Sequence, residues 1–401
     1  MERENYHKIQ PKYCPKENMF IYEYNNVKYF IKDNYLYIPN NLPYESEVET
    51  SEFASSSQTE NKKNNQIMEP CGLVNNKGVC YMNAVLQCFY YCKPLTQFFL
   101  NLNENKKNQL ELISKGYCEL VEGLSKGNIN AAKTFKEAIE DYDDMFSEAG
   151  GNDSKDVALL ILTELHNELK QNKFNEIIQL NKKVNYHELK EVYEEKLALD
   201  KINNNSTIIS QVFNYFLKIE QKCINGCKKY KKTYFTIETD NIVILELNSL
   251  FLRDNITIHL EDCIARYIKE KMIECPECKM KSLKFKNIFC TLPKILIFVL
   301  SRGLNNNFKC KIKFKEDLDM NEYYEPITQD EAKKSTKYKL ICATFAYDWM
   351  IKGTGHTVAF CKTNYKDQYY IFNDRTARKT KISEINGKNR RSEERFSRNA
   401  E

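Results

Sequence analysis

Apolar and polar positions change their period along the chain. Between residue 80 and about residue 170, apolar residues recur every three or four places, as in Val85, Leu86 and Phe89 and again in Leu110, Ile113, Tyr117 and Leu120. That spacing lays an apolar stripe along a helix, so the segment is predicted helical. Asn152-Asp153 opens a further helix over 154–169, with Asp153 placed to cap it. The charged stretch 182–201 reads as a surface helix or an insertion. After about residue 208 the pattern turns to strands: 233–239, 242–247, 256–260, 283–289, 295–300, 339–345, 357–362 and 368–372. Helices first and strands second predict an α+β fold with helices packed on an antiparallel sheet.

The two ends differ from this body. Residues 1–45 are rich in Tyr, Asn and Lys, and their alternating stretches (Met19–Tyr24, Val27–Lys32 and 35–39) are separated by Asn25-Asn26 and Asp33-Asn34. They predict a small meander, an N-terminal extension. Residues 46–66 have almost nothing to bury and read as a disordered linker. The main domain is expected over 67–385, and the highly charged 386–401 reads as a tail.

Composition narrows the function classes. Sixty basic and 55 acidic residues leave a net charge of +5 that is spread along the chain, which calls for no nucleic-acid partner. The longest strongly apolar run, 295–300, is far too short to span a bilayer, so no membrane association is expected. The N-terminus Met1-Glu2-Arg3-Glu4-Asn5 has no apolar signal region, which predicts an intracellular chain, cytoplasmic or nuclear. In that compartment 15 cysteines are free thiols, metal ligands or catalytic groups rather than a disulfide framework.

Cys80 stands apart among them because it follows a polar turn and heads an apolar helix. A helix N-terminus directs unsatisfied N–H groups and a positive dipole end at such a thiol, which favours the nucleophilic thiolate. Two close pairs, Cys223-Ile-Asn-Gly-Cys227 and Cys275-Pro-Glu-Cys278, are spaced as two knuckles of one closed tetrahedral zinc site. The strand-like stretch between them would form a finger-like ribbon over about 215–290, although the first pair has three intervening residues where two are usual. Such a site is structural.

A cysteine nucleophile needs a base and a group to orient that base. Of five histidines, His7 lies in the extension, His166 on the helix after Asp153, His187 in the charged stretch and His259 in the expected finger. His356 follows Gly353-Thr354-Gly355 and begins a strand, and the next strand ends in Asn373-Asp374. Neighbouring antiparallel strands can set either residue beside the imidazole as acceptor.

Here the residues carry a family likeness. Gly72-Leu73-Val74-Asn75 with Cys80-Tyr81-Met82-Asn83-Ala84-Val85-Leu86-Gln87 resembles the Cys box of the ubiquitin-specific proteases. Gly355-His356-Thr357-Val358-Ala359 with Tyr369-Tyr370-Ile371-Phe372-Asn373-Asp374 resembles their His box. Ile209-Ser210-Gln211-Val212-Phe213, 292–298 and Tyr338-Lys339-Leu340 follow the family's order, over roughly 70–385. The resemblance implies a papain-like fold with a helical thumb, an antiparallel β palm and zinc-tied β fingers. It implies Cys80 as nucleophile, His356 as base, Asn373 as orienter, Asp374 as supporting polar residue and Asn75 as oxyanion donor. Asp153 resembles an acidic residue that faces the basic ubiquitin tail. The implied activity is hydrolysis at the C-terminal glycine of ubiquitin through a thioester, with ubiquitin and ubiquitinated proteins as partners of a monomeric chain. Two alternatives stand beside it: an inactive ubiquitin-binding pseudoenzyme, and a protease for another ubiquitin-like modifier. The chain departs from the pattern at Lys77-Gly78-Val79 before the cysteine, at Thr357 after the histidine and at Gly303 after Arg302.

Overall fold

In the computed structural model the described residues are 69–76, 78–146, 153–170, 206–231, 233–247, 257–301, 311–347, 356–387 and 390–399, together with strands within 12–37. The linker 46–66, the stretch 182–201, His7, His187, Lys77, Asn152, Arg302-Gly303 and Gly353-Thr354-Gly355 lie outside the described residues. The chain divides into two units, Met1–Gln66 and Ile67–Glu401.

The first unit contains the expected meander. Strands β1 (Lys12–Cys14), β2 (Met19–Tyr24), β3 (Val27–Lys32) and β4 (Tyr35–Tyr37) form one sheet in chain order, each antiparallel to the next.

The second unit opens with helices α1 (Cys80–Tyr90), α2 (Lys93–Leu100), α3 (Glu104–Lys107), α4 (Leu112–Ser125), α5 (Lys133–Tyr142), α6 (Ser154–Glu168) and α7 (Ile208–Phe213). Phe89, Phe99, Tyr117, Phe135, Ile161, Leu165 and Phe213 are wholly buried and hold these helices in one apolar cluster. The ends of the helices are satisfied across the bundle. The Glu168 carboxylate accepts from the backbone N–H groups of Ile113 and Ser114 at 3.0 and 2.6 Å, closing the start of α4. His166 takes the packing role open to it: its Nδ1 is hydrogen-bonded with the Thr207 hydroxyl (2.8 Å) at the N-cap of α7, and burial, with Lys170 nearby, lowers its pKa to about 4.

Two sheets follow. The first has the order β6 (Tyr234–Asp240), β5 (Tyr215–Cys223), β10 (Lys281–Phe289), β9 (Lys271–Glu274) and is antiparallel throughout. The second is eight-stranded, in the order β17 (Thr376–Thr380), β16 (Tyr369–Asn373), β15 (His356–Lys362), β14 (Lys337–Tyr347), β18 (Arg390–Asn399), β11 (Ile295–Ser301), β7 (Val243–Glu246), with β13 (Asp317–Asp319) also on β14, while β8 (Thr257–His259) and β12 (Lys311–Lys313) form a separate parallel pair. Alternation along its strands supplies two cores. On β11, Ile295, Ile297 and Val299 join the helical cluster, whereas Leu296, Phe298 and Leu300 join a second core on the opposite face. On β15, Ala359 and Cys361 face the helices and Val358 and Phe360 the second core. The continuous apolar run at 295–300 therefore belongs to a strand covered on both sides. Helix α8 (Leu260–Ile268) covers part of the second core through Leu260, Cys263 and Ile264.

One expectation fails here. Residues 390–399, read as part of a charged tail, are strand β18, antiparallel to both β11 and β14. Main-chain N–H and C=O groups drive this pairing and need no apolar side chain. Two neighbouring strands with unmet hydrogen-bonding edges recruit a segment whose side-chain pattern does not announce a strand. Among the described residues no helix is long and apolar enough to cross a membrane.

Candidate functional site

Helix α1 begins at Cys80 itself, and Val79 at its N-cap supplies no side-chain cap. The positive end of the helix dipole is therefore turned on the Cys80 thiol. Gly78 precedes it with φ +76°, a left-handed conformation that a Cβ would strain, with open space where that Cβ would lie. The glycine is needed for its backbone angle rather than for clearance.

Strand β15 opens with His356, and its antiparallel neighbour β16 closes with Asn373. The pairing brings His356 Nε2 to 2.6 Å from Asn373 Oδ1. The amide oxygen only accepts, so Nε2 carries the proton and Nδ1 is the nitrogen left for a partner. That partner is Cys80, hydrogen-bonded to the ring. Burial alone would push the Cys80 thiol up. The bond with His356, a bond from the Thr357 backbone N–H and the imidazolium charge outweigh it and hold the thiol below its ordinary pKa, with the Asp374 charge opposing them. The bond to Cys80, resisted by partial burial and helped by Asn373 and the charges of Cys80 and Asp374, raises His356 to about 9. Both shifts run toward a thiolate–imidazolium pair. Thr357 contributes through its backbone, so the altered side chain there leaves this bond intact.

Asp374 joins the two boxes. It occupies the two-residue turn between β16 and β17 with φ +46°, a conformation Asp tolerates better than most residues. Its Oδ2 accepts from Asn75 Nδ2 and its Oδ1 from Asn83 Nδ2, both at 2.9 Å. Its backbone oxygen accepts from Leu73 N at 2.8 Å. A Cβ on Gly72 would lie 2.0 Å from that same oxygen, so only glycine lets the two backbone segments approach. The Asn75 amide is fixed from both ends, because its Oδ1 accepts the Val79 N–H at 2.8 Å. Its Nδ2 carries a second hydrogen that the bond to Asp374 does not use.

Two contributors were not singled out from the sequence. Asn83, buried on α1 three residues after the cysteine, also reaches the carbonyls of Leu73 and Val74 at 3.4 Å. A polar residue within the apolar stripe of a helix was its only sequence signal. Lys136 on α5 donates to the Val74 carbonyl (2.9 Å); burial lowers its pKa to about 8, with Asp374 and Glu140 drawing it back up. Nothing local to Lys136 marks that role.

Asp153 does cap α6, its Oδ1 accepting from Lys155 N at 3.0 Å, and it is exposed. Among the described residues no hydrogen bond links it to those around Cys80.

The four finger cysteines converge. Their sulfurs all lie within 4.8 Å of one another, with Cys223 and Cys227 at 3.4 Å and Cys223 and Cys278 at 4.0 Å. Tetrahedral zinc with Zn–S bonds of about 2.3 Å needs sulfurs about 3.8 Å apart, so the donor set fits. The extra residue in the first knuckle is absorbed by Gly226 at φ +67°. Ser282 Oγ lies 3.3 Å from Cys223 Sγ and 3.1 Å from Cys278 Sγ, a polar partner that orients the ligands.

Residues 71–394 match the family model described as ubiquitin carboxyl-terminal hydrolase, and the chain belongs to that family. It is similar to ubiquitin carboxyl-terminal hydrolase 4 of Saccharomyces cerevisiae, 28% identical over 273 residues, covering 59% of this chain and 28% of the relative. It also resembles ubiquitin carboxyl-terminal hydrolase 15 of Rattus norvegicus, 29% identical over 181 residues, covering 43% of this chain and 19% of the relative. The match thus spans less than a third of the length of these curated relatives. Among solved structures, the Ubp8/Sgf11/Sus1/Sgf73 module of SAGA bound to ubiquitin aldehyde shares the fold. That likeness has a TM-score of 0.61 at 16% identity, covering 93% of this chain and 81% of that one.

Proposed function

We propose that this protein is a cysteine deubiquitinase that hydrolyses the bond between the C-terminal glycine of ubiquitin and a lysine or peptide amine. The observation that carries the reading is one imidazole, His356, bonded to the Cys80 thiol and held by Asn373. Cys80 thiolate attacks the glycine carbonyl. Asn75 Nδ2 and the Cys80 backbone N–H stabilise the resulting oxyanion, and such a donor is worth about 3 kcal/mol in the transition state. His356 protonates the leaving amine, the thioester forms, and the neutral ring then draws a proton from the water that hydrolyses it. Asn373 fixes the ring tautomer through these steps. Asp374 holds Asn75 in place.

Zinc on Cys223, Cys227, Cys275 and Cys278 fits the donor set and would tie β5 to the β9–β10 hairpin without a chemical role in hydrolysis. Exposed Asp153 at the start of α6 is assigned to contact with the basic ubiquitin tail, compatible with its capping bond.

Incubation with ubiquitin carrying an electrophilic C-terminus tests the reading. A covalent adduct is expected with the unmodified chain and none with Cys80→Ala. Tight ubiquitin binding without an adduct would favour the pseudoenzyme, and labelling only by another modifier would reassign the substrate.

A further inference from the structure

No step of the proposed hydrolysis uses Lys136, yet its side chain reaches the segment that carries Asn75. Residues 71–75 belong to no helix or strand, so bonds to other parts of the fold hold them in place. Val74, just before Asn75, is gripped at both of its backbone groups from one side. Its N–H donates to the Ile129 carbonyl at 2.9 Å, ahead of α5, and its C=O accepts from Lys136 Nζ on α5, also at 2.9 Å. The two bonds act on different peptide units. The Val74 N–H belongs to the unit shared with Leu73, whereas the Val74 C=O belongs to the unit shared with Asn75. Asn83 Nδ2 also reaches that carbonyl, but at 3.4 Å.

We infer that Lys136 is a positioning residue for the oxyanion pocket, fixing the peptide unit between Val74 and Asn75 and, through it, the direction of the Asn75 side chain. The inference rests on Asn75 being the oxyanion donor of the proposed hydrolysis. A peptide unit is planar and rigid, so a bond at the Val74 oxygen also sets the orientation of the Asn75 nitrogen and the point from which its side chain departs. The far end of that side chain is held separately, by Asp374 Oδ2 and the Val79 N–H. Lys136 therefore supplies the backbone half of a placement whose amide half is already fixed. A donor that carries charge makes the stronger bond. Its cost is visible: Lys136 is half-buried, and burial works against the ammonium while Asp374 and Glu140 support it. An apolar side chain of similar length would fill the space without that cost. The plainer role is a lysine stem packed on the helix with its head turned to the nearest oxygen. Under that role Lys136→Met would leave catalysis as it is.

The test uses the full chain and two ubiquitin derivatives. A fluorogenic amide on the C-terminal glycine is cleaved through an oxyanion. Ubiquitin ending in a bromoethyl amide instead alkylates the Cys80 thiolate by displacing bromide: a C–S bond forms, the C–Br bond breaks, and no oxyanion arises. Lys136→Met should lower kcat on the fluorogenic amide by about 10–100-fold with KM little changed, while alkylation keeps the parent's rate. Lys136→Gln, whose amide falls short of the carbonyl, should behave in the same way. In an Asn75→Ala chain, Lys136→Met should cost little further, because the two residues act as one unit. Thermal melting establishes that each variant is folded. The inference is overturned if folded Lys136 variants keep the parent's kcat, if hydrolysis and alkylation fall together, or if the losses from Asn75→Ala and Lys136→Met multiply. A parent that is alkylated yet cleaves no amide overturns the deubiquitinase reading and this inference together. An active parent with undiminished Lys136 variants overturns the inference alone.

Discussion

At the scale of single residues, the site depends on a few hydrogen bonds whose loss has opposite signatures. His356 is raised to about 9 partly by Asn373, so the imidazolium is present below that value and is lost as pH rises through it. Its stabilising contribution is complete below the unfolded histidine pKa of about 6.5 and gone above about 9. Asn373→Ala removes one raising bond and frees the ring. The alkaline limb of thiol reactivity should move to lower pH and the rate of ubiquitin hydrolysis should fall by about 10–100-fold, as read from pH–rate profiles. Asp374→Ala acts differently, because it leaves the Asn75 amide without its acceptor and Asn83 with only the longer carbonyl contacts. An expected loss of about 1–3 kcal/mol in unfolding free energy, with kcat reduced more than KM, would be seen in denaturant melts and steady-state kinetics. Cys80, His356 and Asn373 were legible in the sequence because their types and flanking patterns point to nucleophilic chemistry. Asn83 and Lys136 were not: each matters through a partner distant in sequence, and only the fold brings Asp374 to Asn83 or Val74 to Lys136.

Elements extend the same contrast. The helical period of α1 and the short apolar runs of β15 and β16 made those elements readable, because both strands meet a core on each face. Strand β18 was not readable, since its place between β11 and β14 rests on main-chain pairing. Ending the chain after residue 387 should therefore expose two strand edges and lower the melting temperature by several degrees or abolish soluble expression. A true tail would leave the melting curve unchanged. The finger was legible from cysteine spacing, but the left-handed Gly226 that makes its three-residue gap workable emerges only from backbone geometry. Removing zinc with a chelator should slow labelling by the ubiquitin electrophile while alkylation of Cys80 by a small haloacetamide is little changed. That contrast would assign the finger to holding ubiquitin rather than to the chemistry.

For the molecule as a whole, the two units predict that residues 67–401 fold and react without 1–66. A shortened chain with the same melting midpoint and the same adduct rate is the expected outcome. Within the second unit, helices and sheet share one core, and the Cys80–His356 pair lies where α1 meets the sheet. The chemistry thus depends on the register of helix against strand. The most direct measurement is peptide mapping, by mass spectrometry, of the adduct formed with a ubiquitin electrophile. Attachment to the peptide bearing Cys80, abolished by Cys80→Ala, is the predicted result. An adduct on another cysteine, or one that survives Cys80→Ala, would contradict the assignment of the nucleophile.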